Sequence, residues 1–396
     1  MKKGWAVKKL GDVSDIVNGG TPDTQMKGYW DGKHLWITPK DMGKLTSIYV
    51  DSTERTITDA GIKNSSAKLL PINSVILSSR APIGHLAINK KEICTNQGCK
   101  GIVPNKELNT LFLYYFLKNS VELLNSLGTG ATFKELSGSK LSQVQIPLPP
   151  LPEQKRIVAI LDETFAAIDK AKANAEKNLL NAKELFESYL QEVFGKPRKD
   201  WEKCNLEDYV RFIDYRGRTP VKTEKGIRLI TAKNVKKGHL QLEPQEFINP
   251  NNFNSWMTRG IPDYGDVIFT TEAPLANVAQ IDTYDKLAFA QRIIVMQPQK
   301  DKINQTFLKF MLLSQPIQNK ILERGTGATV TGIKASLLKK VSIYFPKSLK
   351  EQVTIVKDLN FLSSETKKLE AIYQQKLNDL EELKKSILQK AFGGEL

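Results

Sequence analysis

Two stretches of the chain carry apolar residues on unbroken helical spacing. Between Glu153 and Phe194 there is neither proline nor glycine, and Ile157, Ile160, Leu161, Phe165, Ile168, Leu179, Leu185, Phe186 and Leu190 recur among Lys, Glu, Asn and Ala. Between Glu351 and Phe392 the pattern returns, with Leu362, Leu369, Tyr373, Leu380, Leu383 and Ile387 close to an a/d repeat. The spacing predicts helices over about 153–194 and 351–392. Pro147, Pro149, Pro150 and Pro152 precede the first, and Gly195 and Gly393-Gly394 stop the two. At ~1.5 Å per residue each is a rod of roughly 60 Å. A rod with one apolar stripe needs a partner; the other rod, lying antiparallel, is the expected one, and a parallel pair or independent docking helices for other chains are the alternatives. Antiparallel pairing relates the two halves by a pseudo-two-fold.

The segments ahead of the rods read differently. Short β-rich runs such as Ser74–Leu77 and Asp266–Thr270 alternate with turns at Gly19-Gly20, Pro22, Asp31-Gly32, Gly217, Pro220 and Gly265. Helical stretches are expected near Asn109–Leu127 and Gln305–Arg324, and the apolar run Leu111–Leu117 is a buried helix or strand. Each segment is an α+β globule. The expected organisation is two similar α/β domains at 1–149 and 198–347, separated by helical spacers at 150–197 and 348–396 that form an antiparallel coiled coil.

The chain is one unit written twice. Val75-Ile76-Leu77-Ser78-Ser79-Arg80-Ala81-Pro82 returns as Val267-Ile268-Phe269-Thr270-Thr271-Glu272-Ala273-Pro274. Gly128-Thr129-Gly130-Ala131-Thr132 returns unchanged as Gly325-Thr326-Gly327-Ala328-Thr329. Ser188-Tyr189-Leu190-Gln191-Glu192-Val193-Phe194-Gly195 returns as Ser386-Ile387-Leu388-Gln389-Lys390-Ala391-Phe392-Gly393, and Ile37-Thr38-Pro39-Lys40-Asp41 answers Ile230-Thr231-Ala232-Lys233-Asn234. Trp5 and Leu10 match Trp201 and Leu206. The order is colinear, with offsets between 192 and 198.

Charge then narrows the partner. The 396 residues carry a net charge of +15, which favours a polyanion. Lys and Arg outnumber Asp and Glu by 27 to 20 over residues 1–198 and by 31 to 23 over 199–396, so both halves are mildly basic and neither carries a basic tail. No run reaches the ~20 apolar residues of a membrane span. Nor does an apolar stretch follow the Met-Lys-Lys-Gly-Trp opening as a signal peptide would require. A soluble cytoplasmic protein is expected. Cys94, Cys99 and Cys204 are too few for a disulfide framework, and with only His34, His85 and His239 beside them they do not suggest zinc.

Catalytic patterns are missing or incomplete. Asn249-Pro250-Asn251-Asn252-Phe253 approaches the Asn-Pro-Pro-aromatic loop of amino-methyltransferases but lacks its second proline, and no glycine-rich cofactor turn precedes it; a plain Asn-Pro turn is expected. Pro22-Asp23 with Asp31-Gly32-Lys33 is short for a nuclease metal site, and the second copy has Val221 after Thr219-Pro220. The Gly-Thr-Gly-Ala-Thr segments are not phosphate loops of the Walker type, because no Gly-Lys-Ser/Thr follows. His85 faces Asn277 in the other copy.

The chain resembles the specificity subunits of type I restriction–modification systems. The likeness covers its whole length. It rests on the rod openings Leu-Pro-Glu-Gln-Lys-Arg-Ile-Val (151–158) and Lys-Glu-Gln-Val-Thr-Ile-Val (350–356), the Ser-x-Leu-Gln-x-x-Phe-Gly rod endings, Arg80-Ala81-Pro82-Ile83-Gly84 and the paired Gly-Thr-Gly-Ala-Thr segments. The resemblance implies a non-catalytic subunit whose globules are target-recognition domains, each reading half of a split DNA sequence. It implies two methylation subunits and further restriction subunits as partners. S-adenosylmethionine, ATP and Mg2+ then belong to those partners and none to this chain. Two other classes stay open at this stage: a bivalent protein-binding scaffold, and a DNA-modifying enzyme with unfamiliar motifs.

Candidate DNA contacts follow from polarity and repeat position. Thr129, Thr132, Thr326 and Thr329 offer hydroxyls on glycine-rich loops suited to phosphate or base edges, or simply turn the chain before a helix. Lys40, Asp41, Lys233 and Asn234 occupy matching polar positions. Arg80 and Arg292 carry a fork that reads guanine and equally pairs a carboxylate, and Lys134 and Lys334 lie just beyond the glycine loops, placed for phosphate.

Overall fold

The computed structural model describes residues 4–80, 82–130, 134–215, 219–290, 292–327 and 331–396. The chain divides into two compact units. Unit 1 is Met1–Asn174 with Lys376–Leu396, and unit 2 is Ala175–Gln375.

In unit 1 a five-stranded sheet runs in the order Ser14–Asn18, Cys99–Pro104, Val75–Ser78, Leu86–Asn89, Tyr49–Val50. Its pairs are antiparallel except the last. Val75 and Leu77 face one core, with Phe112 and Phe116; Ile76 faces another, with Ile37, Leu70 and Cys99. Both faces are covered, so the strand reads as a continuous apolar run and not as an alternation. A second sheet pairs Trp30–Ile37 with Arg55–Ile57 (antiparallel) and Ile93–Thr95 (parallel). An antiparallel clip of Ala6–Lys9 on Gln145–Leu148 closes the globule just before its rod.

Unit 2 repeats the plan. Its first sheet is ordered Val210–Asp214, Ile293–Pro298, Val267–Thr270, Val278–Gln280, with Val267 and Phe269 in one core and Ile268 in the other. A second sheet again contains one parallel pair, Ile227–Ile230 on Leu287–Phe289. The clip is Glu202–Asn205 on Ser342–Phe345.

The expected helix over Asn109–Leu127 is two helices, Thr110–Asn119 and Val121–Leu127, broken at Ser120, whose hydroxyl turns back onto the Phe116 carbonyl at 2.8 Å. The stretch Gln305–Arg324 likewise splits into Gln305–Leu313 and Gln315–Leu322 at Ser314, which is extended (ψ 142) ahead of Pro316. Asn109 and Asn304 cap the first helix of each pair, their side-chain oxygens accepting from Phe112 and Phe307 N–H at 3.0 Å.

The rods are single helices, Leu151–Gly195 and Leu349–Gly393, each of 45 residues. Each contributes one end to each unit. Within unit 1, Asp169 meets Lys384 (2.8 Å), Lys172 meets Glu381 (2.6 Å), and Arg156 donates to the Leu396 carbonyl (2.8 Å). Residue numbers climb on one rod as they fall on the other, so the pair is antiparallel. Within unit 2, Leu190 and Phe194 share a core with Val356 and Leu359.

The rod ends are pinned to the globules by a repeated device. Gln154 and Gln352, the glutamines of the two rod openings, are fully buried. Gln154 Oε1 accepts from Asn109 N–H while Nε2 donates to the carbonyls of Glu107 and Pro149, all at 2.8 Å. Gln352 does the same with Asn304 (2.7 Å), Lys302 and Pro346 (both 2.8 Å).

Candidate nucleic-acid interface

In unit 1 the strand Val75–Ser78 runs out into a turn. Ser78 Oγ donates to Pro82 O (2.7 Å) and accepts from His85 N–H (2.8 Å), which brings Pro82 and His85 back onto the end of the strand. In unit 2 Thr270 Oγ1 donates to Pro274 O (2.6 Å) and accepts from Asn277 N–H (2.9 Å). The Ser/Thr at this position is thus set by the turn, whereas His85 and Asn277 contribute only their backbone N–H to it.

Beside the turn stands the glycine-rich loop. Thr129 and Glu135 exchange backbone bonds (3.0 and 2.9 Å), Leu136 N–H donates to Ser79 O (2.8 Å), and Ser79 N–H donates to Gly98 O (2.8 Å). The second copy keeps each bond: Thr326 with Gly332 (2.8 and 3.0 Å), Ile333 to Thr271 (2.9 Å), Thr271 to Arg292 (2.9 Å). Gly130 and Gly327 hold φ of +124° and +125°, which side chains adopt only with strain. That requirement explains why the second glycine is kept in both copies.

The same backbone carries different charges. In unit 1 Arg80 Nη1 lies 3.7 Å from Glu135 Oε2, and the buried Lys100 Nζ is 3.9 Å from Oε1. Burial lowers the Lys100 pKa, and Glu135 opposes that shift. In unit 2 position 80 is Glu272 and position 135 is Gly332. The cation comes instead from Arg292, Nε 2.9 Å from Glu272 Oε1, on the strand end that answers Gly98. Both arginines therefore pair carboxylates here, while remaining partly exposed.

Thr129, Lys134, Thr326 and Lys334 are exposed on these junctions, with Lys334 at the start of the helix Ala335–Lys339. Thr132 and Thr329 lie outside the described residues. The Thr38–Gly43 segment is adjacent, because a Cβ on Gly98 would meet both Arg80 Nε and Pro39 Cγ at about 3.0–3.1 Å. Lys40 and Lys233 are exposed. Their neighbours act within the fold. Asp41 Oδ2 accepts from Thr38 N–H (2.9 Å) and Oγ1–H (2.8 Å) and so caps its own turn. Asn234 makes the matching bonds to Thr231 (3.0 and 2.9 Å), donates to Gln241 O and Pro244 O, and is 1% exposed. This is a correction for Asn234: every hydrogen-bonding site of its amide is used inside the globule, leaving none for DNA. The paired sequence positions were matched by shape of the backbone, not by contact chemistry.

Sequence reasoning missed Lys100 and the pairings of Glu135 and Glu272, which set the charge of the junction. Glu272 stood in the repeat, but its partner lies 20 residues on in sequence and is joined to it only by the strand pairing.

Elsewhere, Asn249 Oδ1 accepts from Asn251 N–H in a plain Asn-Pro turn, and Lys33 pairs with Asp59 at 3.0 Å. Burial pushes the thiols of Cys94, Cys99 and Cys204 up to about 12. Among the described residues no group of three or more His, Cys, Asp or Glu is placed to hold a metal, and no helix is long and apolar enough to cross a membrane.

The same junction is built in both units, and each globule runs on into a 45-residue helix. The family model described as the type I restriction modification DNA specificity domain matches residues 2–179 and again 198–382, and the chain belongs to that family. The MjaIX specificity subunit of a type I restriction enzyme from Methanocaldococcus jannaschii is 34% identical over 267 residues, covering 62% of this chain and 61% of that protein. For the EcoR124I/EcoR124II specificity subunit of Escherichia coli the identity is 30%, and the chain spans 49% of its length. The EcoKI specificity subunit of Escherichia coli K12 is 23% identical, over 100% of this chain and 90% of its own. The fold is shared with a structure described as complex assembly of the type I R-M system (TM-score 0.80, 18% identity, 100% and 99% covered). It is also shared with the HsdS subunit of Thermoanaerobacter tengcongensis (TM-score 0.63, 18% identity, 100% and 98% covered).

Proposed function

We propose that the chain is the non-catalytic, sequence-reading subunit of a type I restriction–modification complex, with one globule reading each half of a split DNA target. The observation that carries this is the duplicated junction: one backbone, two charge arrangements. Arg80 with Glu135 and Lys100 in one copy, and Glu272 with Arg292 in the other, present different donors and acceptors on the same frame. Two unlike readers on one frame suit an asymmetric target. Each good bidentate base contact is worth ~1–3 kcal/mol of discrimination, so two small readers add to what one cannot supply alone. Thr129, Lys134, Thr326, Lys334, Lys40 and Lys233 are the candidate contacts to phosphate or base edges, with Arg80 and Arg292 exchanging a carboxylate for DNA. Thr132 and Thr329 belong to the same loops.

The recognition domains are residues 1–149 and 198–347, and the helical spacers 150–197 and 348–396. The rods carry large exposed apolar side chains, among them Leu180, Leu185, Phe361, Ile372 and Leu383 at 46–69% exposure. They suit docking of two methylation subunits, to which restriction subunits add. S-adenosylmethionine, ATP and Mg2+ act on those partners, in the cytoplasm.

The test is a domain exchange. Replacing residues 1–149 by the corresponding domain of a relative, and mapping methylated adenines in cells carrying the chimera, is expected to change one half of the target and leave the other intact. If both halves change together, the two globules share one continuous site and the reading fails.

A further inference from the structure

The duplication lets one unit serve as the control for the other. In unit 1 the space between the helix Thr110–Asn119 and the rods is filled. Tyr114 packs edge-on to Tyr115 (5.4 Å), Tyr115 edge-on to Phe165 (5.5 Å), and Phe165 and Ile168 are buried in the main core. The aligned anchors fix the equivalents in unit 2. Asn109 answers Asn304, so Tyr114 answers Lys309; Gln154 answers Gln352, so Phe165 answers Ser363 and Ile168 answers Thr366. Three bulky plugs are replaced by an amine and two hydroxyls. The result is a cleft of about 730 Å³ inside unit 2, within the ~300–1,000 Å³ range of small-molecule sites.

Its chemistry is two-sided. Phe186, Phe310 and Leu313 form an apolar wall, the two rings edge-to-face at 6.0 Å. Lys309 lies against the Phe310 ring (4.3 Å) and no carboxylate among the described residues is within 4.0 Å of it. Lys183 and Lys367 add positive charge. The carboxylate of Glu187 is already neutralised by Lys237 at 2.6 Å, and Glu184 and Glu370 complete the acidic groups of the lining. A half-buried ammonium with no carboxylate in contact, only Asp282 acting on it from further off, is costly. Burial, with Lys367 beside it, holds the Lys309 pKa down to about 8.

We propose that this cleft binds a small organic anion, an apolar body bearing a phosphate or carboxylate, with Lys309 and Lys367 on the anionic group and Phe186 and Phe310 on the body. Among the described residues of unit 1, Tyr114 and Phe165 stand in the corresponding place.

The test uses the full chain, with phenyl phosphate as the probe and inorganic phosphate alongside it. Limiting acetic anhydride acetylates amines, and mass spectrometry reads each lysine. With phenyl phosphate at ten times its dissociation constant, the free cleft and hence the Lys309 acetylation rate fall about tenfold, while exposed Lys199 is unaffected. Inorganic phosphate, lacking the body, protects less at equal concentration. Ser363→Phe, which restores the plug of unit 1, is expected to abolish protection. Should that variant misfold, Lys309→Met is measured by calorimetry and is expected to give no phenyl phosphate binding. Unchanged Lys309 acetylation with phenyl phosphate, or protection surviving in folded S363F, overturns the proposal. So does protection given only by an added methylation subunit, which would make the cleft a protein contact.

Discussion

Replacing Gln154 by methionine keeps the side chain's length and removes all of its hydrogen bonding. The Asn109 N–H and the carbonyls of Glu107 and Pro149 would be left facing a thioether in a fully buried site. Each buried polar group deprived of its partner costs ~1–3 kcal/mol. Relaxation of the Asn109 cap and entry of water return some of that, so the expected loss is about 3–5 kcal/mol, confined to unit 1. Gln352→Met should cost a similar amount in unit 2. The two sites share no partner, so their effects should add to within about 0.5 kcal/mol. Hydrogen exchange is the direct assay. The Asn109 amide should lose its protection in Q154M, as should the Asn304 amide in Q352M, with the other unit unchanged in each case. Urea unfolding followed by a probe in each unit gives the energies. A loss below about 1 kcal/mol with the Asn109 amide still protected would show that the glutamine is a passenger and that packing alone fixes the rod to the globule.

Lys309→Met should stabilise unit 2 near neutral pH. The drop from 10.5 to about 8 is worth roughly 3 kcal/mol at most. Because the folded value lies below the unfolded one, the unfolded chain binds the extra proton. Wild-type stability should therefore rise between about pH 8 and 10.5, and thermal melts of K309M should lack that rise; Lys367, Lys183, Glu370 and Asp282 remain as a common background. The purified chain, supplied with S-adenosylmethionine, ATP and Mg2+, should neither methylate nor cut DNA. Turnover that survives stringent purification would place an active site in it. Inserting one helical turn in a rod adds about 5.4 Å against ~3.4 Å per base pair; with the unlengthened partner rod limiting the shift, the gap between half-sites should move by about one base pair without changing either half, as read by methylation mapping.

What was legible in the sequence is what depends on long periodicity. The rods were predicted to within two residues at each end, because forty residues without proline or glycine leave the chain no alternative. The repeat was plain from colinear matches and is repeated bond for bond at the Ser78 and Thr270 turns. The breaks at Ser120 and Ser314 were hidden, since one serine inside an apolar run carries no periodic signal. The burial of Gln154 and Gln352 carries no periodic signal, because their partners Asn109 and Asn304 lie 45 and 48 residues away in the chain. Asn234 looked like a contact because it is polar, and its burial follows from the Gln241 and Pro244 carbonyls that close over it. The cleft of unit 2 depends on Ser363 standing where Phe165 stands, and serine on a helix face is ordinarily exposed.

Unit 1 is not a continuous stretch of chain. Its core includes Phe392, whose ring meets those of Phe112 and Phe116 at 5.1 and 5.6 Å, together with Leu388 and Ala391. Unit 2, by contrast, is a single run from Ala175 to Gln375. On a ribosome moving at ~5–20 residues per second, about 200 residues separate Asn174 from the last segment of unit 1, a delay of roughly 10–40 s. The half that is made first is thus finished last. Through that interval Phe112 and Phe116 wait without their partner, and the later half of the chain can fold before the earlier one closes.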